Sequence, residues 1–373
     1  MEKIVSKKHD NTELIKIVVI PGYRLTDFFA FGLNCSGTQK RKISLAFFFV
    51  LFSCAFVRTA IAQNTQIRGF ADVNTMAGKD GLSWSLGEQD LFITSTINDR
   101  LSFLGETIFR FSATSSTKFS ASVERIILNY ILYGNHSLIA GKIHTPVNYW
   151  NDSYHHGRVF FPTIDRPLVF DSTIIPLHSL GLGLQGKDLG RFRFGYNVFL
   201  ANGLGSGEIA DNDRYKSLTV ATYIRPARNM RIGISWYHDK ISEGALVHSM
   251  KYSRNTTQNL YSASLANFGK HWEILLESTA GLEKDNLESR TTIATYGYLG
   301  YRIKDKLIPY GRYDFLRSHG GENHLNRPDV EKLVLGVRYQ INYLAVMKLE
   351  YQNIRRMGAA DENKVVAQFA VGF

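Results

Sequence analysis

Four histidines sit in or beside one stretch of this chain: His144, His155, His156 and His178. Clustered imidazoles can ligate a transition metal, and with a hydroxyl and an acid they can activate a nucleophile. The spacing supports neither use. His155 and His156 are adjacent, so on a strand they would point opposite ways and could not share one ion. Both cysteines of the chain, Cys35 and Cys54, lie far upstream. Gly205-Ser206-Gly207 lacks the Gly-x-Ser-x-Gly spacing of a nucleophile elbow. Asp211 and Asp213 read as solvated loop carboxylates. The expectation is therefore no catalytic residue, no metal and no cofactor.

What remains is a polar set carried by an apolar segment. Residues 145–178 form the longest gap between regular elements, yet they hold Tyr149, Trp150, Tyr154, Phe160, Phe161, Ile164, Leu168 and Phe170. A long connection this aromatic should pack against something. If it folded into a wet interior, Asn151, Asp152, His155, His156, Arg158, Asp165, Arg166 and His178 would line a constriction.

The rest of the chain consists of short alternating segments. The period-two pattern predicts strands at 66–76, 90–98, 101–112, 122–133, 136–144, 179–187, 191–202, 215–225, 230–239, 257–267, 270–281, 292–302, 307–317, 332–341, 344–353 and 363–373. Connections at 98–100, 134–135, 188–190, 226–229, 268–269, 304–306 and 342–343 are short. They alternate with longer polar ones at 77–89, 113–121, 145–178, 203–214, 240–256, 282–291, 318–331 and 354–362. Short turns at one end and long loops at the other belong to an all-β, antiparallel up-and-down transmembrane β-barrel of about sixteen strands.

Each strand has one apolar and one polar face. In 332–341, Leu333, Leu335, Val337 and Tyr339 oppose Lys332, Arg338 and Gln340. In 191–202, Phe192, Phe194, Tyr196, Val198 and Leu200 oppose Arg191, Arg193 and Asn197. In lipid the apolar face must point out and the charged face into the lumen. The lumen wall expected from this pattern carries Arg110, Arg125, Arg193, Arg231, Arg312, Lys332, Arg338 and Lys348 against Glu106, Glu273, Glu277, Asp314 and Glu350. Tyr and Phe number 19 and 24. Trp236, Tyr237, Tyr301, Tyr310, Phe315, Tyr339, Tyr343 and Tyr351 are placed where interfacial girdles would form.

The segment Asn363–Phe373 puts Val365, Ala367, Phe369, Val371 and Phe373 on one apolar face. It resembles the closing strand of bacterial outer-membrane barrels, in which a terminal Phe is part of the assembly signal. That resemblance implies a Gram-negative outer-membrane location, with outer-membrane lipid and the barrel assembly machinery as partners. The inward-folding 145–178 loop resembles the third outer loop of porins. Gly141-Lys142-Ile143-His144-Thr145-Pro146 resembles a strand end of phosphate-selective-type porins, which usually carry Gly two residues after the Pro where this chain has Asn148. The porin resemblance also implies a homotrimer, although no feature of the sequence sets a subunit interface.

Upstream, Lys40-Arg41-Lys42, the apolar run Ile43–Val57 and Ala60-Ile61-Ala62 make a secretory signal peptide at 40–62, cleaved after Ala62. Residues 1–39 are then an extension from a start placed too early, or a disordered one, and 63–373 is the barrel. No run reaches the roughly 18–20 apolar residues of a spanning helix. The net charge is +11, of which +6 remains once the nine Lys/Arg and four Asp/Glu of residues 1–62 are removed. With a signal peptide and no local basic cluster interleaved with aromatics, nucleic acid is not the expected partner. The expected function is passive diffusion of small solutes, with a weak preference for anions among them. A closed barrel serving as surface adhesin or scaffold is the alternative, and a lipid-modifying barrel enzyme the third reading.

Overall fold

Hydrocarbon offers no partner to a backbone amide, so each spanning strand must find its partners in neighbouring strands, and the outermost two must find each other. The computed structural model describes residues 64–373 apart from 113–114, 155–156, 172–173, 205–210, 212, 248–249 and 320–328. The expected leader at 40–62, the segment 1–39, His155, His156 and Gly205-Ser206-Gly207 lie outside the described residues.

The strands in chain order are β1 (Asn64–Gly78), β2 (Gly81–Thr96), β3 (Leu101–Phe111), β4 (Phe119–Tyr133), β5 (His136–His144), β6 (His178–Leu189), β7 (Phe194–Ala201), β8 (Ser217–Ile224) and β9 (Met230–Ile241). They continue as β10 (Leu246–Val247), β11 (Met250–Lys251), β12 (Thr256–Phe268), β13 (Trp272–Lys284), β14 (Ser289–Tyr301), β15 (Leu307–His319), β16 (Val330–Asn342), β17 (Ala345–Arg356) and β18 (Glu362–Gly372). Two short helices, α1 (Tyr149–Ser153) and α2 (Leu168–Asp171), lie between β5 and β6. Among the described residues, sixteen strands close into one antiparallel barrel, while β10 and β11 form a separate hairpin. Closure runs from Phe70↔Gly372 to Ala77↔Val365. The Gly69 and Phe373 amides and carbonyls also exchange bonds of 2.8 and 2.9 Å. Among the described residues this closure leaves the sixteen-strand barrel without an edge strand.

The apolar face points out. Leu335, Met347, Leu349 and Phe369 are 51%, 52%, 49% and 45% exposed, whereas Lys332, Lys348, Glu350, Gln352 and Gln368 are at most 4% exposed. That inversion of a soluble protein is what a lipid-bathed wall requires.

Three sequence expectations are corrected. Residues 77–89 are not a loop. β1 and β2 run on for 15 and 16 residues and meet at the Lys79-Asp80 turn, with Gly78 paired to Gly81. Asp80-Gly81 is a hairpin dipeptide, and Gly81 takes the left-handed φ of 94° that a tight turn needs. Arg193 does not reach the lumen wall: it stands exposed in the turn before β7, with φ 47°. Tyr237 and Tyr310 are not girdle residues. They are 0% and 6% exposed inside the barrel, where their hydroxyls donate to Asp239 (2.9 Å) and Glu350 (2.7 Å).

The outward face makes one prediction. Leu335→Arg, midway along β16, should cost about 2–4 kcal/mol of unfolding free energy in a bilayer. Urea unfolding in lipid vesicles measures it, and an unchanged midpoint would mean that this face does not meet hydrocarbon.

Candidate functional site

The segment between β5 and β6 does not leave the barrel; it enters it. Its neck is pinned by Thr145, whose amide donates to the Leu177 carbonyl (3.0 Å) and whose hydroxyl bonds that of Ser179 (2.7 Å). Asn151 donates across the neck to the carbonyls of Thr145 (2.8 Å) and Leu177 (3.0 Å). Asn148 turns the chain inward with φ 67° and ψ 162°, a combination that is close to glycine-only. The Gly usual at this place in the resembling porins is thus replaced by a residue that supplies a bond of its own, to Thr279 Oγ1 (2.8 Å).

Once inside, the loop packs mainly against β9 and β12–β17, and Val159 and Phe160 reach across to Phe70 of β1 and Ala370 of β18. Val147, Trp150, Phe161, Val169, Phe170, Ile174 and Ile175 form one buried cluster with Tyr237, Leu260, Leu275, Tyr296, Tyr298, Tyr310 and Val334. Trp150, 1% exposed, sits edge-on to Phe161 and Tyr296 at 5.3 and 6.2 Å. A packed loop still carries backbone groups that need partners, and charged side chains of the wall supply them. Glu277 accepts the amides of Tyr149 and Trp150 at the start of α1 and the Tyr296 hydroxyl. Lys348 donates to the carbonyls of Arg158 (2.6 Å) and Thr163 (3.2 Å). Arg338, paired with Glu273 at 2.7 Å, donates to the Pro162 carbonyl (3.1 Å). Arg312, paired with Asp314 at 3.0 Å, donates to Thr163 Oγ1 and to the carbonyls of Asp165 (2.7 Å) and Arg166 (3.2 Å). Glu350 accepts the Ile164 amide (2.7 Å).

Asp165, in the loop and outside the spanning strands, accepts from Lys332 (3.0 Å) and Gln352 (2.9 Å). Burial pushes its carboxyl up. The Lys332 ammonium, the two hydrogen bonds and the Arg312 guanidinium outweigh that and hold it well below the ordinary 3.8.

Two cavities remain beside the loop. A cavity of about 400 Å³ lies near the short turns, lined by Thr94, Arg125, Asn129, Gln185, Lys187 and Asn197, with Asp152 of the loop at its edge. A second cavity, of about 290 Å³, lies toward the Lys79-Asp80 turn, lined by Asp72, Asn74, Ser85, Glu88, Arg158 and Lys364. Between them stand ion pairs: Arg125 with Glu106, Arg110 with Glu88 (2.9 Å), and Arg158 with Glu88 (3.6 Å). Arg158 also lies over the Phe161 ring at 4.9 Å. Asp152 is paired with Arg231 (2.6 Å), whose guanidinium lies over Tyr223 at 4.0 Å.

The expected constriction residues therefore divide. Arg158, Asp152 and Asp165 border open space, Asn151 serves the neck, Asp165 also bonds the docking wall, and Arg166 meets that wall through its carbonyl. Of the expected lumen charges, Glu273, Glu277, Arg312, Asp314, Arg338, Lys348 and Glu350 serve docking, whereas Glu106, Arg110 and Arg125 face the open side. Sequence reasoning missed Glu88, Asp72 and Lys187. Glu88 falls in 77–89, where loop-like composition hides a strand, although Glu88 and Asp90 share the alternation that marks a wall.

No protein-family model and no curated protein matches this sequence. Solved structures do. The outer membrane channel DcaP of Acinetobacter baumannii is similar with a TM-score of 0.61 and 14% identity, over 84% of this chain and 99% of that one. The anion-selective porin from Comamonas acidovorans gives 0.60 and 8%, over 83% and 100%. OmpT, an outer membrane protein of Vibrio cholerae in its trimer form, gives 0.59 and 13%, over 84% and 100%. The fold is that of a porin-like β-barrel.

Two outcomes follow from the docking geometry. Trp150→Ala should remove about 3–5 kcal/mol from loop docking, read as faster amide exchange over 147–175 with the strand amides unchanged. Exchange that rises equally in the strands would place Trp150 in the barrel's stability instead. Asp165→Asn should lower thermal stability at neutral pH. Because the carboxyl is depressed, its contribution is full above the ordinary carboxylate range and is lost as pH falls through its own lower value. The gap between variant and parent should therefore close on acidification, and a pH-independent gap would count against the Lys332 pair.

Proposed function

We propose that the protein is an outer-membrane channel for passive diffusion of small solutes, with the docked loop as its constriction. The observation that carries this reading is the inward-docked loop: it packs against β9 and β12–β17, reaches β1, β2 and β18 through Gly157–Phe160, and leaves two polar cavities beside it. No bond chemistry is involved. Width and the side chains along the open half select what passes.

A weak preference for anions follows from which charges meet water. In the group between the cavities, the side chains of Arg110, Arg125 and Arg158 are 39%, 19% and 20% exposed, against 12% and 0% for Glu88 and Glu106. Asp90 is 1% exposed, and its carboxylate lies 3.3 Å from the Gly157 amide. Acids also meet water, since the side chains of Asp152 and Asp165 at the cavity edges are 32% and 37% exposed; three exposed guanidiniums against these two carboxylates leave a weak bias toward anions.

Residues 40–62 direct export and are removed, and the barrel acts in a Gram-negative outer membrane. A homotrimer is the assembly in keeping with the trimeric form of OmpT. The adhesin and lipid-modifying-enzyme readings differ in one respect: neither needs conductance.

Single-channel recording of the refolded protein in a planar bilayer under a salt gradient tests this. Discrete ohmic steps with a reversal potential on the anion side are expected. Arg158→Glu, which places an acid beside Glu88, should shift that potential toward cations. No steps from a folded barrel would retire the channel reading, and steps with unchanged selectivity in Arg158→Glu would retire the charge assignment alone.

A further inference from the structure

Glu124, His144 and His178 come from three neighbouring strands, β4, β5 and β6, and no motif links them. His144 and His178 are direct cross-strand partners, with ring centroids 5.5 Å apart. Their pair continues the row Leu138↔Leu184, Ala140↔Leu182 and Lys142↔Leu180. On this row Leu138, Leu182 and Leu184 face outward at 40%, 60% and 45% exposure. Glu124 reaches the same neighbourhood because the β3–β4 register shifts there: Glu106 pairs with Arg125, and Thr107 with Val123. That bulge leaves Glu124 as the extra residue. Its carboxylate meets His178 Nε2. One donor atom from each of the three residues lies within 4.8 Å of the others.

We propose that Glu124, His144 and His178 form a binding site for a divalent transition metal of the zinc class, clipping the two roots of the constriction loop to β4. Two imidazoles and one carboxylate, with a fourth position open, are a zinc-type donor set. Bonds of about 2.1 Å in a tetrahedron hold donors about 3.4 Å apart, so His144 closes by roughly one ångström and Glu124 parts from His178 by a similar amount, within the reach of side-chain rotation. The surroundings favour capture. Glu124 and His178 are 5% and 7% exposed, His144 borders the cavity that Arg125 and Asn129 line, and a carboxylate withdrawn from water gains from a cation bound to it. The opposing charge nearby is Lys142, two residues before His144, whose ammonium donates to the Val123 carbonyl at 3.0 Å.

The site needs no conduction, so its test is independent of the channel reading. Refolded protein is stripped with EDTA, and Zn²⁺ binding is followed by calorimetry, with Co²⁺ as a spectroscopic probe. About one equivalent of Zn²⁺ is expected, reversed by chelator, with the intense visible bands of tetrahedral Co²⁺. Glu124→Gln keeps the shape and should weaken binding at least tenfold. His178→Ala should abolish it, while His136→Ala, whose ring bonds Tyr196 instead (2.9 Å), should leave it intact. Heat-modified gel mobility confirms that each variant folds. Absence of binding to the folded parent, or equal binding by Glu124→Gln and His178→Ala, overturns the proposal.

Discussion

A backbone segment that leaves its strand ladder and enters a barrel takes its amides and carbonyls along, and the interior must satisfy them. Most of this structure's inner design follows from that requirement. Apolar packing around Trp150 can supply dispersion and area, but it offers nothing to the carbonyls of Arg158, Pro162, Thr163, Asp165 and Arg166. Long cationic side chains on β15, β16 and β17 reach those carbonyls, and Glu277 and Glu350 reach the amides. Each cation needs an anion in turn, because an unpaired buried charge is costly. Arg312 has Asp314 and Arg338 has Glu273, while Lys348 bonds Gln368 as well as the loop. The charged wall on this side is thus a scaffold for a loop, built from the residue types that a solute path would also use.

The consequence is an asymmetric lumen. One half is packed and paired, and its formal charges contribute little to the water inside. The other half keeps amides, hydroxyls and partly hydrated guanidiniums at its surface. Counting charges around the whole ring would mix these two populations. Arg312 is 1% exposed and Arg110's side chain 39%; only the second kind is positioned to act on a passing ion.

The sixteen strands were legible because lipid imposes one rule on every segment: alternate faces, and turn back at each side. The outward Leu335 and inward Arg338 follow from that rule alone. The loop was legible as an insertion because it is too aromatic to be solvated. Its docking partners were not legible. The bond from Arg312 to Thr163 joins residues 149 positions apart, and that from Lys348 to Arg158 joins residues 190 apart. No local pattern encodes such pairs. The β1–β2 hairpin was missed because Gly81, Ser83, Ser85 and Gly87 mimic loop composition, although Leu82, Trp84 and Leu86 alternate with them. Arg193 was misplaced by extending a strand three residues into its turn. The bulge at Glu124 left a trace in the sequence, since two adjacent charges, Glu124-Arg125, break the alternation of β4.

The same bulge shows how little is needed to release a polar residue from the alternation of such a wall. In a strict ladder, alternation assigns each residue to lipid or lumen, and a charge on the lipid face is selected against. One extra residue in β4 lets Arg125 keep its lumen partner Glu106 while Glu124 turns to meet His178. Beside it, β5 and β6 end their pairing at His144 and His178, where the loop departs. The polar cluster therefore lies where the ladder is already interrupted, at the point where the wall gives up a strand connection to the interior. Polar groups withdrawn from water there must be satisfied by one another or by something they bind. That necessity ties the chemistry of the wall to the geometry of the loop it releases.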